Sequence, residues 1–581
     1  IQSAEGALLT ARDSVSVSGA SAVRGTDKRR EAQGWKDWKA GLGEVRGHIE
    51  NGTLWAAGTP LAAIASSLLV HSASVRRQFD GTTDLKVIAD RVLEEKGLVT
   101  SFPASVLAEV EKMKPVEPAG DPSIRDLRNM LWSSIDNGDL NPQTLELENA
   151  SKDLDQLTVA ERLDGGRIRV YVGIADVDAL VPKGSEIDRH AMTNTRTVYT
   201  PDKIYPMIPE RLSTDLTSLN PDVDRLSMVK EYVVNPDGSL SDEKLYRAYV
   251  HNHGKMAYDS VAAWLEGSTI TPPPLRDPAM ADQIRMQDEA AQRLKAARAE
   301  HGSLVFADRE TKADVKDGQV INLSLHSRNR ATELIENFMV AANGVTARAV
   351  EKANLPSLRR VVKTPEKWDR IVELAKQKGT QLPKQADSKK LSEFLEQQKK
   401  ADPDHYPDLS VAIVKLLGRG EYVVDKPGEA PPGHFALAVD DYAHSTAPNR
   451  RAPDLIGQRI EKAAIAGAAC PYTDEELEGL AAHFSEQEHE VNSAERQISK
   501  SAAAQMLMNK IGDQFDAMIT GSGPKGTWVR IIEPPIEGKL TRGANGHQVG
   551  DKVRVVLTDV NVEKGFIDFA VASANKKNAA A

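Results

Sequence analysis

The stretch SKDLDQLTVAERLDGGRIRVYVGIADV, residues 151–177, decides how the middle of the chain folds. Apolar residues alternate with other residues over 168–174, which is the spacing of a strand with one buried face. The turn-forming segment 164–166 separates this run from LTVAERL, so the stretch predicts a β-hairpin. Asp153 and Asp155 precede the hairpin and would share one face of an extended segment. They predict either a metal site or ordinary turn residues.

The chain has 581 residues, more than one hydrophobic core usually serves, and this predicts several domains. Apolar residues make up 40% and charged residues 27%, without an apolar run of the ~18–20 residues that a membrane helix needs. The single cysteine, Cys470, excludes a disulfide within the chain and a cysteine-rich metal site. We therefore expect a soluble, cytoplasmic protein with no membrane partner.

Charge gives a mixed indication of the partner. The net charge of −10 argues against nucleic acid at first sight, because phosphate binding depends on Lys and Arg. Locally, residues 355–400 carry 12 basic against 6 acidic residues. A solvated helical face is the commoner explanation of such a run. Local charge therefore decides little without motifs.

Composition along the chain predicts a multidomain α+β architecture. Residues 1–34 lack the pattern of a secretory signal and are expected to be flexible. Residues 35–113 predict helices, either a helix-turn-helix or winged-helix-like domain or a plain helical packing domain. The Pro-rich segment 114–122 is a predicted linker, and 123–515 a mixed α/β domain. Residues 520–575 alternate short β-rich runs with Gly and Pro, as in a small barrel.

The predicted barrel carries 9 basic against 6 acidic residues from Gly521 onward, with Trp528 and Phe566 among them. Base stacking combined with positive charge is how OB-folds bind single strands. Aromatic residues of a small barrel are more often part of its core, so both interpretations stay open.

Five blocks in order resemble the ribonuclease II family, the RNB-domain 3′–5′ exoribonucleases. SID…KDLDQLTVAE resembles the family's carboxylate motif, and GIADVDALVPKGSEID its strand and turn. TNTRTVYTPDKIYPMIPERLSTDLTSLNP is similar to its Y-L-P…P-M-L-P…L-S…L-C-S-L block. LIENFMVAAN resembles V-E-E-x-M-x-x-A-N, and STAPNRRAPDLIGQR resembles T-S-P-I-R-R-Y-x-D-x-x-x-x-R. The resemblance implies a mixed α/β RNB catalytic domain and a C-terminal OB-fold RNA-binding module.

The resemblance also implies the site residues. The family's metal ligands correspond to three aspartates of this chain, Asp136, Asp153 and Asp155. Where the family has a fourth aspartate this chain has Gln156, which could hold the metal through a water. Asp136 is reached only across an insert, GDLNPQTLELENA. Catalytic roles fall on Asp153, Asp155 and Arg450, and RNA contacts on Tyr199, Phe306, Glu336 and Arg450. Phe306 is equally well read as a core residue and Glu336 as a solvated one.

The chemistry of phosphodiester hydrolysis is consistent with these residue types. It needs a water aimed in line with the leaving oxygen and neutralisation of charge at phosphorus, which two Mg²⁺ ions ~4 Å apart would supply. Mn²⁺ also suits oxygen ligands. Gln156 offers a carbonyl oxygen without charge, which predicts a weaker second metal site.

The resemblance implies a metal-dependent, hydrolytic and processive 3′–5′ exoribonuclease that degrades single-stranded RNA to nucleoside 5′-monophosphates. We expect a monomer, with duplex nucleic acid as a further partner of the helical N-terminal domain, which stands where the family carries cold-shock modules. Gln156 and Asn337 replace acidic residues of the motifs and keep open a catalytically weakened RNA-binding or regulatory protein on an RNB scaffold. Action on DNA through the N-terminal domain is a second alternative.

Overall fold

The computed structural model describes residues 83–572, except 117–120, 308, 317, 404, 430–432, 524–525 and 548. The predicted flexible segment 1–34 and the predicted helices before residue 83 lie outside this range, so a helix-turn-helix there stays a prediction. The predicted helix over DLKVIADRVLEEKG is present as α1 (Leu85–Glu95). Asp84 caps it by accepting hydrogen bonds from the next backbone N–H groups, and a short α2 (Ala104–Glu111) follows.

The remaining helices of the described part, in chain order, are α3 (Glu186–Asn194), α4 (Tyr258–Leu265), α5 (Pro278–Glu300), α6 (Arg330–Lys352), α7 (Trp368–Gln377), α8 (Ser388–Ala401), α9 (Tyr406–Leu417), α10 (Ala452–Ala466) and α11 (Asp474–Leu507). None of the helices in this part of the chain is long and apolar enough to cross a membrane.

The strands of the same part are β1 (Arg125–Asp126), β2 (Ser133–Asp136), β3 (Asp139–Leu140), β4 (Leu147–Glu148), β5 (Gln156–Arg162), β6 (Ile168–Ala175), β7 (Val198–Tyr199), β8 (Ile204–Tyr205), β9 (Asp224–Val234), β10 (Leu240–His251), β11 (Gly254–Ala257), β12 (Arg309–Lys316), β13 (Gln319–Ser327), β14 (Ser357–Val361), β15 (Glu421–Asp425), β16 (Gln514–Gly523), β17 (Gly526–Ile531), β18 (Glu537–Arg542), β19 (Lys552–Asn561) and β20 (Phe566–Val571).

A seven-stranded sheet in the order β1-β10-β9-β6-β5-β2-β11 forms the centre of the catalytic region. The predicted hairpin is β5–β6, with Gln156 opposite Ile174 and a turn over Asp164–Gly166. Gly165 adopts φ 71° there, a conformation that costs glycine nothing. The edge strands β1 and β11 pair in parallel with their neighbours, whereas the inner strands are antiparallel.

Both faces of this sheet are covered. The alternating apolar residues of β6 pack with α5 and α6 in one core, which includes Leu334, Ile335, Phe338 and Ala342 of α6. The opposite face packs against α10 and the start of α11 in a second core. Central strands buried on both faces are expected to be rich in Val and Ile, as VYVGIA in β6 is.

The C-terminal strands close into the predicted barrel, in the order β16-β17-β18-β20-β19 with β16 back against β19. Its first strand begins at Gln514, before the predicted start at residue 520, because QFDAMITGSG is too polar and Gly-rich to stand out as a strand. Phe569 occupies the core, whereas Phe566 is 62% exposed. The exposed ring of Phe566 is therefore not part of the barrel core.

Phe338 tests the packing of α6 on the sheet. It is fully buried in the core formed with α5 and β6, so Phe338→Ala should lower the free energy of unfolding by about 3–5 kcal/mol. Urea denaturation followed by circular dichroism measures this. Val411→Ala, at a 50% exposed position of α9, should change stability by only about 0.5 kcal/mol. Equal effects of the two variants would contradict the assigned core.

Candidate active site

The aspartate loop, residues 153–155, lies immediately before β5 and is fixed through its backbone. Ser218 Oγ accepts a hydrogen bond from the Leu154 N–H at 3.0 Å and donates to the Lys152 carbonyl at 2.6 Å. The Leu154 side chain is buried in the core below. Asp153 and Asp155 are thereby held on either side of an anchored residue.

Asp136 reaches the same place in spite of the insert. It ends β2, which pairs with β5 through Ser133 and Thr158, so strand pairing rather than chain proximity sets its position. The insert folds into the separate hairpin β3–β4, closed where the Ser151 N–H donates to the Asn137 carbonyl at 3.0 Å. Gln156 Nε2 then lies 3.4 Å from Asp136 Oδ2.

The arginine loop, residues 445–451, meets the aspartate loop at Asp155. Arg450 Nε lies 3.0 Å from Asp155 Oδ2, and the Asn449 N–H donates to Asp155 Oδ1 at 3.0 Å. Asp454, in the first turn of α10, shapes the loop by accepting the N–H groups of Thr446 and Ala447. One loop therefore supplies a contact to each oxygen of Asp155.

Tyr199 completes the cluster. Its hydroxyl donates a hydrogen bond to Asp153 Oδ2 at 3.1 Å, and the residue as a whole is 40% exposed. Its backbone N–H donates to Glu495 of α11 at 3.1 Å, and Glu495 also pairs with Arg196 at 2.9 Å. The structure thus brings the predicted residues Asp136, Asp153, Asp155, Gln156, Tyr199 and Arg450 together in one connected set.

Two carboxylates of this set are destabilised in their charged form. Burial raises the pKa of Asp155 to about 7, although Arg450 and the Asn449 N–H act to lower it. Burial likewise raises the pKa of Asp136 against the opposing effect of Arg450. Partial burial acts to lower the pKa of Arg450, but the surrounding carboxylates outweigh it and raise the pKa. Burial therefore favours the protonated form of both carboxylates.

The oxygen atoms of the site are of the kind that hold a hard divalent cation. Within the described residues, no three His, Cys, Asp or Glu side chains converge closely enough to form a complete metal-binding group. Mg²⁺, however, is commonly held by one or two carboxylates together with waters and substrate phosphates. Among the residues that the structure describes, Asp155 Oδ2 is buried without a hydrogen bond and is ion-paired with Arg450. Buried oxygen ligands of this kind fit such a cation.

Two predicted RNA contacts lie apart from this set. Phe306 is half-buried and packs against the apolar cluster of α7, α8 and α9. Glu336, on α6, is ion-paired with Arg298 and Arg328. The contacts recorded for the described residues link neither one to Tyr199 or to the aspartates.

The sequence analysis missed Lys255 and Tyr258. β11 pairs in parallel with β2 and sets Ala257 opposite Asp136, which brings its neighbours to the site. Lys255 Nζ donates to the Ser151 carbonyl, and burial lowers the pKa of Lys255 while Asp136 acts to raise it. Burial and the charge of Asp136 raise the pKa of Tyr258. The pairing of β11 with β2 is what places both residues near Asp136, and it is not visible in the sequence.

Clustered carboxylates, an arginine in contact with one of them and a tyrosine beside them are residue types that suit phosphodiester cleavage. Family comparison agrees: the RNB domain matches residues 124–467, and the RNase II-type exonuclease C-terminal S1 domain matches residues 513–572. The chain belongs to the RNB-domain family. The predicted RNase II-type enzyme, the RNB domain and the closed barrel are confirmed, and the described part of the predicted helical region contains α1 and α2.

Ribonuclease R of Aquifex aeolicus is 28% identical over 531 residues, spanning 86% of this chain and 72% of that protein. Ribonuclease R of Escherichia coli is 30% identical over 516 residues, spanning 82% of this chain but only 61% of its relative. The chain is thus similar to a part of these longer proteins.

Two solved structures share the fold. Mycoplasma genitalium RNase R, in complex with ribose-methylated single-stranded RNA, matches with a TM-score of 0.75 and 22% identity, covering 84% of this chain and 78% of that chain. Yeast Ssd1, a pseudonuclease, matches with a TM-score of 0.61 and 15% identity, covering 82% and 57%. The fold is therefore shared by an RNA-bound ribonuclease and by a pseudonuclease.

The raised pKa of Asp155 predicts a pH dependence of stability. Because the folded state holds the Asp155 proton up to about pH 7 while an unfolded Asp releases it near pH 4, this group favours folding at low pH. That stability is lost as pH rises toward 7. Asp155→Asn should therefore gain stability relative to the original chain as pH rises from about 4 to about 7, by at most about 1.4 kcal/mol per pH unit, and the difference should stay constant above that.

Thermal unfolding in EDTA across this pH range measures the difference. Asp282→Asn, at a carboxylate whose side chain is 75% exposed, is the matched control. A stability difference for Asp155→Asn that stays constant from about pH 4 to about pH 7 would contradict the assigned burial.

Proposed function

We propose that this chain is a metal-dependent, hydrolytic 3′–5′ exoribonuclease that degrades single-stranded RNA processively to nucleoside 5′-monophosphates. The observation that carries the proposal is the Asp155–Arg450 contact at 3.0 Å, with Tyr199 bonded to Asp153 beside it. Cleavage of the last phosphodiester of a strand needs a carboxylate that binds a cation, a guanidinium held in place and an aromatic ring.

Each residue has a distinct task. Asp136, Asp153 and Asp155, with Gln156 through a water, would hold Mg²⁺ or Mn²⁺, which supplies an activated water and neutralises phosphate charge when bound. Arg450 would direct its guanidinium to the scissile phosphate, because that group is planar and always charged. Tyr199 would stack on the terminal base, since its ring is exposed and every base has a π-face.

Glu336 and Phe306 are assigned to RNA as weaker proposals. Glu336 would bond a ribose 2′-hydroxyl, which distinguishes RNA from DNA, but only by sharing its contacts with Arg298 and Arg328. Phe306 would have to leave its packing against the α7–α9 cluster to face Tyr199. Glu336 therefore needs less rearrangement than Phe306.

The barrel is the proposed holder of the RNA strand beyond the site. Phe566 is 62% exposed, and half-buried Trp528 lies opposite Lys539 on the neighbouring strand. An aromatic ring beside a lysine suits RNA binding, because the ring can stack on a base while the lysine neutralises the phosphate of the same nucleotide. We propose that the enzyme acts as a monomer and that any duplex contact belongs to the segment before residue 83.

A catalytically weakened RNA-binding protein is the second candidate. Gln156 and Asn337 stand where the family motifs have acidic residues, and the fold is shared by the pseudonuclease Ssd1. The clustered Asp136, Asp153 and Asp155 argue against it, because like charges held close together are costly and serve no purpose in a protein that only binds a polyanion. Activity decides between the candidates.

The chain should shorten 5′-labelled single-stranded RNA stepwise with Mg²⁺, stop when EDTA is added, and leave the matched DNA intact. Asp155→Asn should abolish shortening, and Arg450→Met should lower kcat by about 10²–10³-fold, because each removes charge stabilisation from the transition state. Gel separation of labelled products and chromatography of released monophosphates measure both effects. RNA that is bound but not shortened would support the binding candidate instead.

Gln156→Asp supplies the acidic group that the motif has at this position. It should lower the Mg²⁺ concentration for half-maximal activity, because a carboxylate holds a hard cation more firmly than an amide does. Magnesium titration of initial rates measures this, with Gln143→Asp on the insert as the control for added charge. An unchanged magnesium requirement would show that Gln156 does not face the metal.

A further inference from the structure

Two departures from the family motifs contact each other beside the site. The motif L-C-S-L has cysteine where this chain has Thr217, and T-S-P-I-R has isoleucine where it has Asn449. In the structure Thr217 Oγ lies 2.6 Å from the Asn449 side-chain amide. Both residues are buried, at 4% and 0% exposure. A polar pair therefore occupies a place where the motifs specify two apolar residues.

This pair joins the two loops of the site. Thr217 immediately precedes Ser218, whose hydroxyl fixes the Leu154 N–H in the aspartate loop. Asn449 immediately precedes Arg450, and its own N–H bonds Asp155 Oδ1 at 3.0 Å. A displacement of the Thr217–Asn449 contact would thus shift the aspartate loop and the arginine loop relative to each other.

The hydrogen bonding of the pair is directional. Thr217 Oγ also lies 2.8 Å from the Leu212 carbonyl, and a hydroxyl has only one proton to donate. The 2.6 Å separation joins Thr217 Oγ to Asn449 Oδ1, so the hydroxyl donates to that oxygen and shares its proton with the Leu212 carbonyl. In either orientation of the amide, one polar atom of Asn449 has no partner among the residues that the structure describes. Such a burial is costly, and an apolar pair would avoid it.

We propose that Thr217 and Asn449 are positioning residues that hold Arg450 against Asp155 in the geometry for cleavage. The proposal rests on the proposed function, since it concerns the same phosphate-cleaving site. The hydrogen bond links the two loops directly, and a matched apolar pair at the same two positions would hold them in contact by packing instead. A misplacement of the order of 1 Å at a reacting group lowers rates by about a hundredfold.

Thr217→Val keeps the shape of the side chain and removes its hydroxyl, leaving the Asn449 amide without its partner. We expect it to lower kcat for single-stranded RNA by about 10- to 100-fold while KM changes less than about threefold. Thr217→Ser keeps the hydroxyl and should retain kcat. The double variant T217C/N449I installs both motif residues and should recover most of the kcat lost in Asn449→Ile.

Steady-state cleavage over a range of RNA concentrations, normalised to the folded fraction from thermal unfolding, measures kcat and KM separately. Thr214→Val is the matched control, because among the described residues its hydroxyl bonds the Glu210 carbonyl of the same segment. The positioning role is wrong if Thr217→Ser loses as much kcat as Thr217→Val, if KM rises as far as kcat falls, or if all variants match the original chain. An original chain that does not shorten RNA would instead overturn the proposed function. If Thr217→Val does not fold, the comparison of Asn449→Ile with T217C/N449I decides the question.

Discussion

The carboxylate of Asp155 is buried to 1% exposure, and the arrangement of the whole site follows from how its charge is accommodated. Taking a carboxylate out of water costs several kcal/mol unless hydrogen bonds and an opposite charge replace the lost hydration. Here one loop provides both, the N–H of Asn449 on one oxygen and the guanidinium of Arg450 on the other. Removing either partner leaves a buried charge without compensation, so the aspartate loop and the arginine loop cannot be ordered independently.

The sheet explains how residues far apart in sequence meet at this carboxylate. β2 and β11 lie side by side at one edge of the sheet, next to β5, although more than a hundred residues separate them in the chain. Asp136, Lys255 and Gln156 therefore share that edge. The insert after Asp136 is tolerated because it folds as its own hairpin and its ends stay close together. The cost of closing a longer loop grows only slowly with its length.

Sequence patterns were sufficient wherever structure is local. The β5–β6 hairpin and the apolar face of α6 follow from periodicity, and the blocks around Asp155 and Arg450 follow from motif resemblance. The roles of Lys255 and Glu495 could not be predicted, because each contacts the site only through a strand pairing or a helix distant in the chain. The motif match identified Glu336 as a candidate residue. It could not predict the ion pair with Arg298, because Arg298 belongs to another helix. Local pattern thus identified the reactive groups, and tertiary pairing determined their surroundings.

Charge balance at the site bears on how a cation would be retained. Three aspartates face Arg450 and Lys255, so the protein groups nearly neutralise one another before any metal binds. An aspartate at position 156 would add a charge that the amide of Gln156 lacks. Nearly neutral protein groups bind a divalent cation weakly by themselves, because Coulomb attraction between the ion and the site is then small. An RNA phosphate entering beside Arg450 changes that balance, since it both occupies the guanidinium and adds negative charge next to Asp155. Under the proposed function, an RNA phosphate at this place would therefore strengthen the attraction of the site for a divalent cation.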